Sequence, residues 1–172
     1  IVNLGTNKTA IDVFAGESHS CATLNDGTVK CWGRNNYGEL GQGHATQNIG
    51  DVPGEMGDAL PTVDLGTGVT AKKVACMAST TCAILNDDTV KCWGYNNYGE
   101  LGLGDRSYRG DGTGEMGANL PLTDLGSTSF PVKLYANHHK TCALFYNGSL
   151  KCWGYNLYGQ LGLGDSSHRG DG

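Results

Sequence analysis

One unit occurs three times in this chain. Cys21-Ala22 leads to Lys30-Cys31-Trp32-Gly33, Cys82-Ala83 to Lys91-Cys92-Trp93-Gly94, and Cys142-Ala143 to Lys151-Cys152-Trp153-Gly154. The step is roughly 60 residues, the scale of a single supersecondary unit that takes part of its core from its neighbours. The chain is therefore read as repeat 1 over 1–61, repeat 2 over 62–121 and repeat 3 over 122–172. Arg169-Gly170-Asp171-Gly172 matches Arg109-Gly110-Asp111-Gly112, and the segment that follows the earlier copy has no third counterpart. The expectation is a piece of a longer array.

Within each unit the cysteines are symmetric about a turn. A three-residue turn at Asn25-Asp26-Gly27 pairs residue 24 with 28, 22 with 30 and 21 with 31. Gly27 and Gly148 suit the left-handed position of such a turn, and Asp88 takes it less readily in the second copy. In this register Cys21 faces Cys31, Cys82 faces Cys92 and Cys142 faces Cys152 across antiparallel strands, close enough for disulfides. Reduced core cysteines are the rival reading, and zinc is disfavoured because the C-x₂₋₄-C spacing is missing. One face then carries Thr23 and Val29, the other Ala22, Leu24 and Trp32. Both are largely apolar, so the sheet is expected to be covered on both sides by neighbouring sheets.

Downstream, Asn35, Tyr37, Gly38, Leu40, Gly41 and Gly43 recur at 96–104 and 156–164. Glycine is plentiful at 28 residues and proline scarce at 4, which fits tight turns between short strands. Gly-Glu-Met-Gly follows at 54–57 and 114–117, then Asp-Leu-Gly, then a short strand near Lys73–Ala75 or Val132–Ala136. About four strands per period and no helical period are expected.

The His19-Ser20-Cys21-Ala22 start, Asp26-Gly27-Thr28-Val29 turn, Cys31-Trp32-Gly33 exit and Gly38-Glu39-Leu40-Gly41 block resemble the RCC1 (regulator of chromosome condensation) repeat family. Gly159-Gln160-Leu161-Gly162 is closer still to the family's form. The resemblance covers nearly the whole chain and implies an all-β fold of tandem four-stranded antiparallel blades. These would form part of a β-propeller or an open blade array or filament. The Gly-Glu-Met-Gly segment departs from the family pattern, as do Thr80 and Lys140 at the position of His19.

Repeated disulfides imply an oxidising compartment, so an extracellular or cell-surface location is expected. Cys76 is left over, as a buried thiol or an intermolecular bridge. Asn7-Lys8-Thr9 and Asn147-Gly148-Ser149 are N-glycosylation sequons, with Asn147 at a hairpin tip. The net charge of −5 and the absence of basic runs disfavour nucleic acid, and no apolar stretch reaches the ~20 residues of a membrane span. No catalytic constellation is found, and His138 and His139 would point to opposite faces of a strand. Asp51, Glu55, Asp58, Asp105, Asp111 and Glu115 offer oxygens to Ca²⁺ but lack a calcium-loop spacing, so they read as a solvated acidic loop. No cofactor is otherwise expected. Arg-Gly-Asp at 109–111 and 169–171 reads first as part of the repeat. One tryptophan per repeat does not suggest the facing cluster that the family's photoreceptor branch needs.

The function expected is an extracellular structural or scaffold repeat protein, building a surface layer or filament by self-association or through further repeats. The alternative is a secreted propeller that binds a protein or glycan through loops 44–53 and 105–113. Guanine-nucleotide exchange, which the resemblance also implies, is opposed by the acidic charge and paired cysteines.

Overall fold

The computed structural model describes residues 1–76, 78–126, 129–137 and 139–172. Three antiparallel sheets follow one another along the chain: β1 (Ala10–Ala15), β2 (His19–Leu24) and β3 (Val29–Gly33); β4 (Ala71–Cys76), β5 (Thr80–Leu85) and β6 (Val90–Gly94); β7 (Pro131–Asn137), β8 (Lys140–Phe145) and β9 (Leu150–Gly154). In each sheet the middle strand in sequence is also the middle strand in space. The first strand of every sheet carries an irregularity at the same place, at 10–12, 71–73 and 131–133. One extra residue there bends the strand and sharpens its twist.

The hairpin register is the one the cysteine symmetry predicts. Cys21 pairs with Cys31, Ala22 with Lys30 and Thr23 with Val29, and the other two copies repeat this. Gly27 and Gly148 adopt φ of 78° and 82°, and Asp88 is held at 68°. Asp26, Asp87 and Asn147 each accept hydrogen bonds from the backbone N–H and hydroxyl two residues on, which closes the turn.

The four-stranded blade is corrected. Among the described residues each sheet has three strands, and the fourth is reduced to a single antiparallel bridge: Gly33 with Ile49, Gly94 with Arg109 and Gly154 with Arg169. The cause is the next residue. Gly50, Gly110 and Gly170 sit at φ of 97°, 85° and 89°, which takes the chain out of extended conformation immediately after the bridge. The chain then turns through Gly54 into a short 3-10 turn at Gly57–Ala59, or through Gly114 into one at Gly117–Asn119. Three such blades do not close a propeller.

The core lies between blades. Cys21, Val29, Cys31 and Leu40 of blade 1 pack against Val74, Cys76, Ala83, Leu85 and Trp93 of blade 2. Cys82, Ile84, Val90, Cys92 and Leu101 pack in the same way against Leu134, Ala143, Phe145 and Trp153 of blade 3. Hence both faces of β5 are apolar: Ala83 and Leu85 meet the blade before, Cys82 and Ile84 the blade after.

Candidate functional site

Each junction is built on one backbone carbonyl. Glu39 O accepts the Trp93 indole N–H at 3.1 Å and the Thr81 hydroxyl at 2.8 Å. Glu100 O accepts Trp153 Nε1–H at 2.8 Å and the Thr141 hydroxyl at 2.9 Å. The tryptophan of each following blade thus anchors on the blade before it. The loop that presents the carbonyl is held by a buried asparagine. Asn96 accepts from Leu101 N and donates to Asp105 O and Ser107 O; Asn156 repeats this with Leu161, Asp165 and Ser167. Asn35 accepts from Leu40 N and donates to His44 O. The constant Asn and Leu of the sequence are therefore parts of one loop.

A buried lysine ties the connecting segments. Lys91 Nζ donates to Leu65 O at 2.9 Å and Gly117 O at 2.7 Å, and Lys30 Nζ donates to Leu4 O and Gly57 O at 2.9 and 2.7 Å. These bonds clamp the Gly-Glu-Met-Gly segment against the segment entering the blade. Burial holds the Lys91 ammonium below the usual lysine range.

Above the junctions runs a ridge of half-exposed rings. Tyr37 of blade 1 lies 5.0 Å from Tyr95 and 5.5 Å from Tyr108. Tyr98 likewise lies 4.8 Å from Tyr155, 5.4 Å from His139 and 5.1 Å from His168. Edge-to-face contacts at these separations add to the apolar burial. Beneath the ridge lie Glu39 and Glu100, both fully buried. Glu100 Oε2 accepts from Tyr98 N at 2.8 Å, and Oε1 lies 3.2 Å from His139 Nδ1. Burial pushes the Glu100 carboxyl up to about 7, and moves Glu39 in the same direction. In repeat 3 the equivalent residue is Gln160, whose Oε1 accepts from Tyr158 N.

Each predicted site residue has a place in this arrangement. The three disulfides are formed, with Cα atoms 4.1, 4.1 and 4.0 Å apart. Two of them lie inside the junctions. Cys76 is a buried free thiol. Asn7 and Asn147 are exposed. Among the described residues the carboxylates named for calcium form no cluster of three or more, although Asp111 and Glu115 face each other. Glu55 and Glu115 accept backbone N–H groups of their own turns, Asp58 accepts from Thr6, and Asp105 pairs with Arg109. Among the described residues the one group with metal-ligand proximity is His19, Cys21 and Cys76. Cys21 Sγ is committed to its disulfide there, which leaves two donors. His138 lies outside the described residues.

The Arg-Gly-Asp tripeptides are packed into the fold. The Arg109 guanidinium is tied to Asp105, Ser107 O and Tyr108 O, and Arg169 repeats those contacts. Gly110 meets Gly38 of the preceding blade so closely that a Cβ on Gly38 would stand 2.4 Å from the Gly110 carbonyl carbon. The sequence singled out Asn35 and Tyr37 as repeat positions without their roles. The ridge and the carbonyl anchor needed the next blade to be seen.

Comparison with known proteins agrees with this construction. The Regulator of chromosome condensation (RCC1) repeat model matches residues 10–39, 71–100 and 132–160. Ultraviolet-B receptor UVR8 of Arabidopsis thaliana is 33% identical over 155 residues, which are 89% of this chain and 31% of that protein. E3 ubiquitin-protein ligase HERC2 of Homo sapiens is 29% identical over 156 residues, which are 91% of this chain and 3% of the ligase. The chain thus spans less than a third of the length of either relative. Among solved structures, human WBSCR16 superposes with a TM-score of 0.69 at 20% identity, covering 95% of this chain and 38% of that one. Yeast RCC1 (Prp20), solved bound to Kap60, gives 0.67 at 18%, covering 91% and 32%. Three matched segments, each beginning at the first strand of a blade and ending in the loop that carries the carbonyl anchor, place this propeller-like chain in the RCC1 repeat family.

Proposed function

We propose that this chain is part of an extracellular structural repeat protein whose blades join face to face into a surface layer or filament. The observation that carries the reading is the unsatisfied half-junction on each outer blade. Leu150 is 62% exposed where Val29 and Val90 are 0% and 1% exposed. Tyr158, equivalent to the packed Tyr37 and Tyr98, is 87% exposed. On the opposite side Val13 is 59% exposed where Val74 is 1%. These are the two complementary surfaces that meet twice inside the chain, so a further blade, from the same chain or another copy, fits them.

The disulfides support the extracellular reading, since such bonds persist in oxidising surroundings. The exposed sequons Asn7 and Asn147 suit the same location, and enzymatic removal of N-glycans should lower the mass of native material at one or both. Electron microscopy of the native, unreduced protein tests the whole reading. Continuous fibres or sheets with blades stacked along one axis are expected; isolated closed rings would overturn it. A second reading, binding of a protein or glycan, is favoured by the half-exposed aromatic ridge beside loops 44–53 and 105–113, and closed rings would point to it.

A further inference from the structure

Two deviations from the repeat meet at one junction. His19 on β2 is replaced by Thr80 and Lys140 in the later copies, and Cys76 on β4 stands where the other copies have Ala15 and Ala136. They belong to different blades, yet Cys76 Sγ, Cys21 Sγ and a ring nitrogen of His19 all lie within 4.8 Å of one another. All three residues are sealed: His19 is 3% exposed, Cys76 5% and Cys21 0%. The backbone N–H of Cys21 and the Thr81 hydroxyl both stand within bonding range of the Cys76 sulfur.

The hydrogen bonds fix the histidine tautomer. The Thr81 hydroxyl donates its proton to Glu39 O, so it can only accept from His19 Nε2, 2.9 Å away. The Nε2 atom therefore carries the proton and Nδ1 a lone pair. That Nδ1 is buried and has no hydrogen-bond partner among the described residues. An orphaned acceptor inside a core is costly, and the imidazole that carries it has a ring nitrogen within 4.8 Å of the thiol and disulfide sulfurs.

We propose that this junction is a thiol–disulfide exchange site that moves the bridge of blade 1 onto blade 2. Cys76, as the thiolate, attacks Cys21 Sγ. The Cys76–Cys21 bond forms as the Cys21–Cys31 bond breaks, and the bonding pair leaves on Cys31 Sγ. The proton released by Cys76 passes to His19 Nδ1 and then to Cys31, so no external oxidant or reductant is consumed. The product is a covalent staple between two blades in place of a link within one hairpin. In the closed junction burial pushes the Cys76 thiol up to about 12 and the His19 imidazole down to about 4. The site is consequently silent until a local opening admits water to the Cys76 thiol while the two sulfurs stay side by side, and wider parting of the blades is the event a staple would resist.

The test is disulfide mapping of the folded protein in mildly alkaline buffer with sub-denaturing urea, followed by alkylation, proteolysis and mass spectrometry. A Cys21–Cys76 peptide with alkylated Cys31 should accumulate with time. It should be absent in Cys76→Ala, a residue the repeat already carries at that position. It should form roughly 10²-fold more slowly in His19→Thr, the choice of repeat 2. Circular dichroism confirms that both variants are folded. Alkylation of Cys76 while Cys21–Cys31 stays intact would overturn the proposal. So would indiscriminate pairing of Cys76 with Cys82, Cys92, Cys142 and Cys152, or an unchanged rate in His19→Thr.

Discussion

Lys91 illustrates how single residues hold these junctions. Its ammonium supplies two backbone carbonyls, Leu65 O and Gly117 O, that no strand reaches. Replacing it with methionine keeps the stem and strands both carbonyls, so Lys91→Met should lower unfolding free energy by about 2–3 kcal/mol in urea titration. Lys151, exposed and bonded to Asp124 O at 3.2 Å, should lose under ~1 kcal/mol by the same change. Glu100 gives a pH dependence. Its carboxyl titrates near 7 in the fold, raised from 4.5 by burial and by the charge of Asp171. The folded state therefore binds more protons between those values, and stability falls as pH rises through that window. Tyr98 N–H and His139 also face the carboxyl. Glu100→Gln, which copies Gln160 of repeat 3, should raise stability by about 1–3 kcal/mol at pH 8 and change little at pH 4.5, read from thermal unfolding at both pH values.

At the scale of elements, the glycine-rich loops are docking surfaces more than spacers. Gly38 has φ of 77°, and a Cβ there would lie 2.3 Å from Asp111 N. Backbone cannot yield as a flexible side chain would, so Gly38→Ala should cost about 2–4 kcal/mol and loosen the contact between blades 1 and 2. Gly114, at φ of 80°, has no atom within 4 Å of its would-be Cβ, so Gly114→Ala should cost only the backbone term of ~1 kcal/mol. Equilibrium unfolding of the two variants side by side separates steric docking from conformational freedom. The hairpins follow more local rules. Their register, turn conformations and disulfides are dictated by residues within a ten-residue separation, and each bridge adds roughly 3 kcal/mol by restricting the unfolded chain.

For the whole molecule, the interface between blades replaces the private core of an ordinary domain. Trp93 is completely buried and anchors on Glu39 O of the blade before, whereas Trp32 of blade 1 is half-buried and makes no equivalent bond among the described residues. Trp93→Phe should therefore cost about 2 kcal/mol and Trp32→Phe under ~1 kcal/mol in chemical unfolding. If a further blade docks beside blade 1 in the assembled protein, the gap between these two costs should narrow in assembled material. Stability of this kind grows with the number of interfaces, as expected of quasi-one-dimensional arrays.

The amino-acid sequence by itself determined the repeat, the hairpin register, the cysteine pairing and the two-faced sheets. These rest on contacts close in the chain, where period and turn chemistry are decisive. The tertiary structure alone decided that the fourth strand shrinks to one bridge, where Gly50, Gly110 and Gly170 turn at positive φ, Gly50 against Trp32 and Met56 of its own repeat and the other two against the preceding blade. It likewise gave Tyr37, Tyr98, Glu39 and Glu100 their roles, and brought His19 to Cys76. Each of those pairings joins residues of successive repeats through a surface that exists only once one blade has docked on the next.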